Sequence, residues 1–220
     1  MNLTDGGAEG LDDWEDVPKD IIKNTGHQPF KVRTKSFKDL ERLALQGIEY
    51  HWGRNSNHTV AKHVEINGER YEMKINAVNT AKHATKSPKI IYNTNQPPGR
   101  SRNWELSRIL YYNTGYLDFS SWYQKADWIY RKESFANNLF KETGAHEMGH
   151  EILLAYGGHG YSKKHKDTST ILQSENAGLK YPNKEIDLMK YYDEEYAPDF
   201  NKVVASEKDV ISLLWLNKFE

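Results

Sequence analysis

Leu139-Phe140-Lys141-Glu142-Thr143-Gly144-Ala145-His146-Glu147-Met148-Gly149-His150-Glu151-Ile152-Leu153-Leu154-Ala155-Tyr156-Gly157-Gly158 is the stretch from which the fold and the chemistry of this chain are read. From Ser134 to Tyr156 the apolar residues Phe135, Leu139, Phe140, Ile152, Leu153 and Ala155 recur at helical intervals, and Gly157-Gly158 provides a stop. Gly144 is a potential break point. In the later half, His146 and His150 stand four residues apart, which puts both imidazoles on one helix face, turned by about 40°. Both nitrogens can then reach one tetrahedral ion at ~2.0–2.1 Å.

Glu147 is turned about 100° from His146, so it borders such an ion without having to bind it. Zinc in that place lowers the pKa of a water to about 7 and polarises a scissile carbonyl, while the carboxylate carries the proton to the leaving amine. Peptide-bond hydrolysis is the natural reaction, with Glu147 as general base. The plainer alternative is a helix whose two histidines are solvated or buried singly. An apolar opposite face and a Gly-rich end favour the zinc site.

Two histidines leave a catalytic zinc short of one protein donor. The chain has no cysteine, so the missing ligand is a His, Asp or Glu. The extended His-x-x-Gly-x-x-His continuation needs His at 156, where Tyr156 stands. His159 follows a Gly-Gly turn closely, and His165 lies among Lys163, Lys164 and Lys166, where a cation is disfavoured. The segment from Pro182 to Tyr192 is the better source. Asn183 there can cap a helix carrying Glu185 and Asp187, and a face of Glu185, Leu188, Met189 and Tyr192 turns Glu185 inward. Glu185 is preferred to Asp187. Both acids could instead be helix N-terminal charges favoured by the dipole, and His159, Glu175 and Glu194 are the reserves.

Elsewhere the chain reads as scaffold. With 220 residues, 37% of them apolar, it has enough material for one domain with its own core. Thirty basic against thirty-one acidic side chains give a net charge of -1, so nothing in the balance points to nucleic acid. No apolar run is long enough to span a bilayer. Residues 1–20 carry Asp5, Glu9, Asp12, Asp13, Glu15 and Asp16 and read as an acidic flexible leader to a domain over 21–220, with Trp14 as its one anchor. Ser36 caps a helix running to Gln46, with Asp39 at the third position and Gly47 as the stop.

Asn67-Gly68 is a two-residue hairpin turn between strands near 62–66 and 69–76. Lys89 to Tyr92 is a further strand, followed by a loop with two prolines. The aromatic run from Trp104 to Trp128, with Tyr111, Tyr112, Tyr116, Trp122 and Tyr123, reads as amphipathic core before ligand platform. Ser206 and Asp209 cap a last helix with Val210, Ile211, Leu213, Leu214 and Trp215. Helices mixed with a small antiparallel sheet, without βαβ alternation, make the class α+β.

Glu49-Tyr50-His51-Trp52, Ile91-Tyr92-Asn93-Thr94-Asn95, the stretch from Leu139 to Gly158, and Glu185-Ile186-Asp187-Leu188-Met189-Lys190-Tyr191-Tyr192 together resemble the C-terminal metallopeptidase domains of Rhs and VgrG polymorphic toxins, over most of residues 48 to 196. The resemblance implies a zincin-like fold and an antibacterial effector that cleaves a peptide or protein. It further implies a carrier of Rhs or VgrG type and a type VI-like secretion system, with action in the periplasm of a target cell. The producer is protected by a cognate immunity protein. In such domains zinc is held by the two histidines of the motif and a downstream glutamate, which maps onto His146, His150 and Glu185. Two other functions fit the same residues: a cell-wall or housekeeping zinc hydrolase, and a non-catalytic binding module with a structural metal. A structural site needs no general base, so Glu147 speaks against the last.

Overall fold

The structure, a computed structural model, describes residues 1–11, 32–81, 88–94, 99–104, 107–120, 125–157, 185–189 and 199–216. Over these the chain is α+β and divides into two compact units, residues 1–44 with 78–140 and residues 45–77 with 141–220. Among the described residues no helix is long and apolar enough to cross a membrane.

The first unit is built on a four-stranded sheet of β1 (Thr4–Glu9), β4 (Lys89–Asn93), β6 (Ser107–Asn113) and β5 (Arg102–Trp104), in that spatial order. The sheet is mixed rather than antiparallel: β1, β4 and β6 run parallel, and only β5 pairs antiparallel. Buried on both faces, β4 reads as the continuous run Ile90-Ile91-Tyr92, which is how a parallel central strand differs from an alternating one. The expected leader enters this sheet as Thr4–Glu9, while 12–20 lie outside the described residues. Acid and glycine did not keep the segment from pairing, because strand pairing uses backbone groups. Asp5 is also neutralised by the Arg33 guanidinium at 2.8 Å.

Aromatic side chains of this unit stack on one another. Tyr92 and Tyr112 are 5.6 Å apart and nearly parallel, and Phe140 meets Tyr112 edge-on. Their hydroxyls are satisfied by Thr34 and Asn137. Tyr112 thus fulfils the core reading of the aromatic run. Its continuation forms the antiparallel pair β7 (Gly115–Ser120) and β8 (Lys125–Tyr130); Trp122 and Tyr123 lie outside the described residues.

Helix α1 (Phe37–Trp52) begins as read, with Ser36 and Asp39 exchanging hydrogen bonds in a capping box. It does not stop at Gly47. It continues to Trp52, and Leu40, Ala44, Ile48 and Trp52 form a buried ladder at four-residue intervals. Helix α2 (Glu133–Gly157) is likewise unbroken at Gly144.

In the second unit, the later parts of α1 and α2 join the hairpin β2 (Val64–Ile66) and β3 (Glu69–Tyr71), the parallel pair β9 (Ile186–Asp187) and β10 (Val203–Val204), and helix α3 (Glu207–Leu216). Asn67 and Gly68 have φ of 55° and 81°, the left-handed pair that the turn demands. Ser206 caps α3 through Asp209. Residues 185–189 are a strand and a turn, which replaces the helix expected over 182–192. Two long-range pairings outweighed the helical pattern: Ile186 opposite Val203, and Leu188 N–H donating to Val204 O at 2.9 Å. Asn183 and Tyr192 are outside the described residues.

A Cβ at Gly47 would lie 2.2 Å from Lys141 O, a backbone atom with no room to give. Gly47→Ala should therefore lose about 1–3 kcal/mol in urea unfolding by overpacking. At an unhindered helical site the same change gains about 1 kcal/mol.

Candidate metal centre

Helix α2 carries His146, Glu147 and His150 on half-buried positions. The two imidazoles stand edge to face, with ring centres 4.9 Å apart and planes at 86°. His146 Nδ1 lies 2.7 Å from the backbone oxygen of Leu188. A carbonyl only accepts, so Nδ1 carries the hydrogen and, in the neutral ring, Nε2 presents its lone pair. Metal-binding imidazoles are held in this way, with the second nitrogen tied to a carbonyl or carboxylate. Two imidazoles in a chain without thiolates fit zinc better than calcium or magnesium, which prefer oxygen ligands.

The Leu188 carbonyl is itself well placed. Its residue donates N–H to Val204 O, and Asp187 Oδ1 accepts from Met189 N at 3.0 Å, closing the turn on both sides. Asp187 thus shapes the turn beside the histidines.

Glu185 is buried and turned inward as expected, but toward Arg54. Arg54 Nη1 and Nη2 donate to its two carboxylate oxygens at 2.9 and 2.7 Å. Among the described residues no group of three or more His, Asp or Glu side chains is gathered as a metal site. The structure brings His146 and His150 together and does not bring Glu185 to them. His159, His165, Glu175, Glu194, Tyr191 and Tyr192 lie outside the described residues.

Four side chains around this centre were not singled out by sequence reading. Trp52 donates its indole N–H to Ala145 O at 3.0 Å, next to the first histidine. Met189 and Trp52 press on Gly149, where a Cβ would meet them at 2.3 and 2.8 Å. His51 Nδ1 bonds Val203 O at 2.6 Å. Burial pushes its pKa down to about 4, the charges of His58 and Lys141 add to this, and the Val203 bond opposes it. Stability contributed by neutral His51 is present above its ordinary pKa and is lost as pH falls toward 4. Arg54 is the third, and Glu142 the fourth. Trp52, His51 and Glu142 lie within stretches that carry the resemblance, and Arg54 lies outside them.

Glu142 stands one helical turn before His146 and is buried. Burial raises its carboxyl pKa to about 8, a weak bond from Thr143 at 3.5 Å lowers it, and the Glu147 charge raises it. Its carboxyl is protonated at neutral pH.

No family model, no curated protein and no solved structure matches this chain. The likeness to toxin peptidases rests on the motifs quoted above.

Because the folded pKa of Glu142 exceeds its unfolded one, the folded state holds this proton more tightly. Its favourable contribution is complete below about pH 4.5 and is lost as pH rises through about 8. Melting curves of wild type and Glu142→Gln between pH 4 and 9 should therefore converge in acid, and the wild type alone should lose stability between about pH 4.5 and 8 and level off above that.

Proposed function

We propose that this chain is a zinc-dependent metallopeptidase of zincin-like fold that acts as a delivered antibacterial toxin domain. The observation that carries the reading is the His146 ring held by the Leu188 carbonyl, beside the His150 ring, with Glu147 on the same half-buried turn of α2. His146 and His150 are the metal ligands. A zinc ion there supplies Lewis acidity toward a water and a substrate carbonyl.

Glu147 takes the proton of the attacking water and returns it to the departing amine, so its carboxylate must be ionised when substrate arrives. The third donor is Glu185 only if Arg54 releases it; otherwise His159, Glu175 or Glu194 supplies it. An immunity protein, a carrier of Rhs or VgrG type, export by a type VI-like system and action in the periplasm complete the proposal. They rest on the resemblance of residues 48 to 196.

Purified His146→Ala and His150→Ala should lose zinc by elemental analysis. Glu147→Ala should keep it and lose peptide hydrolysis by about 10²–10⁴-fold. The same variant, exported to the periplasm, should no longer kill; full toxicity of Glu147→Ala overturns the peptidase reading.

A further inference from the structure

Arg54 follows the C-terminus of α1 and is 4% exposed; Glu185 precedes β9 and is 8% exposed. Two opposite charges this deep are costly to desolvate, and they persist only when their hydrogen bonds are nearly complete. Here they are. Beyond the two bonds to Glu185, Arg54 Nε donates to His63 O and Nη1 to Ala205 O, each at 3.0 Å. Its backbone pairs in both directions with Met73, fixing the Cα from which the guanidinium projects.

Two residues separate Glu185 from Leu188, whose carbonyl touches His146. Glu185 enters β9, Ile186 and Asp187 pair with Val203 and Val204, and Leu188 donates to Val204 O while its own oxygen meets His146 Nδ1. Ala205, on the far side of β10, is held by the same guanidinium and by His51 O at 2.7 Å. Both strands of the pair are thereby fastened to one cation. Two residues per strand make a weak ladder by themselves.

We infer that the buried Arg54–Glu185 pair is a positioning device: it clamps β9 and β10 so that the Leu188 carbonyl holds His146 in the tautomer that binds metal. Glu185 is then an anchor acting through the backbone, and the third ligand comes from another segment. This inference rests on the reading of His146 as a ligand. Arg54 cannot bind a metal, which makes it the discriminating residue. If Glu185 were a ligand, Arg54 would compete with the ion, and its removal would leave affinity intact or raise it.

The experiment measures zinc affinity by competition with a chelator, and the His146 tautomer of the metal-stripped full chain by ¹⁵N NMR of the ring nitrogens. Arg54→Met and Glu185→Met should each weaken zinc binding by about 10–100-fold, the range seen when groups orienting a ligand are lost. Each should also shift the His146 nitrogens from a fixed Nδ1–H form toward an average of both tautomers. The double variant Arg54→Met/Glu185→Met leaves no buried charge without a partner but lacks the clamp as well, so both readouts should stay as impaired as in the single variants, whereas full recovery would trace the single-variant losses to an unpaired charge and overturn the inference. Should a single variant be too unstable to purify, Arg54→Lys keeps the charge but not the two-pronged grip, and a partial loss of the fixed tautomer is expected.

Wild-type affinity in Arg54→Met, with zinc absent from both Glu185→Met and the double variant, overturns the inference and makes Glu185 a ligand. Unchanged tautomer and affinity in Arg54→Lys and in both single variants also overturn it. Failure of the underlying reading looks different: His146→Ala would then bind zinc as the wild type does.

Discussion

Two helix backbones in the second unit approach to contact at Gly47, where any side chain would collide with Lys141 O. That contact is the constraint on which the candidate site depends. At this separation Trp52, one turn beyond, lies close enough to donate its indole N–H to Ala145 O, and its ring fills the space beside Gly149. A buried indole needs such a partner. The carbonyl it finds belongs to the residue before His146, so the same packing that seals the core sets the helix segment bearing the histidines.

Around that contact the segment from Tyr50 to Arg54 is fastened to residues 201–205 almost residue by residue. Tyr50 hydroxyl donates to Asn201 O, His51 Nδ1 to Val203 O, Ala205 N to His51 O, and Arg54 to Ala205 O. Each of these bonds is to backbone, which has no rotamers and so passes position along the chain with little slack. A candidate site whose histidine is oriented by a carbonyl needs a rigid mount of this kind. Most of its energy comes from the apolar core of Ile48, Val64, Ile186, Leu188, Val203 and Val210; the polar bonds select one arrangement of it.

Features whose cause is local were legible. Ser36 with Asp39 and Ser206 with Asp209 start their helices because the capping partners are three residues apart. Asn67-Gly68 turns because those two residues tolerate positive φ. The pairing of His146 with His150 follows from four residues per turn. The misreadings share a different cause. Gly47 and Gly144 look like punctuation in the sequence, yet both are buried within continuous helices, and at Gly47 the missing side chain is what a neighbouring helix requires. Thr4 to Glu9 and Ile186 to Asp187 are strands only because a partner strand lies beside them.

The sequence by itself determined the helical face of His146, Glu147 and His150 and the exclusion of thiolate ligands. Both follow from residue type and short-range spacing. Tertiary structure alone decided that Glu185 faces Arg54, 131 residues earlier in the chain, and that Leu188 supplies the oxygen for His146. A carboxylate can bind a guanidinium as well as a metal, and any backbone carbonyl can accept a hydrogen bond from an imidazole. Which of them meet depends on how the chain packs over that distance, and no local pattern encodes it.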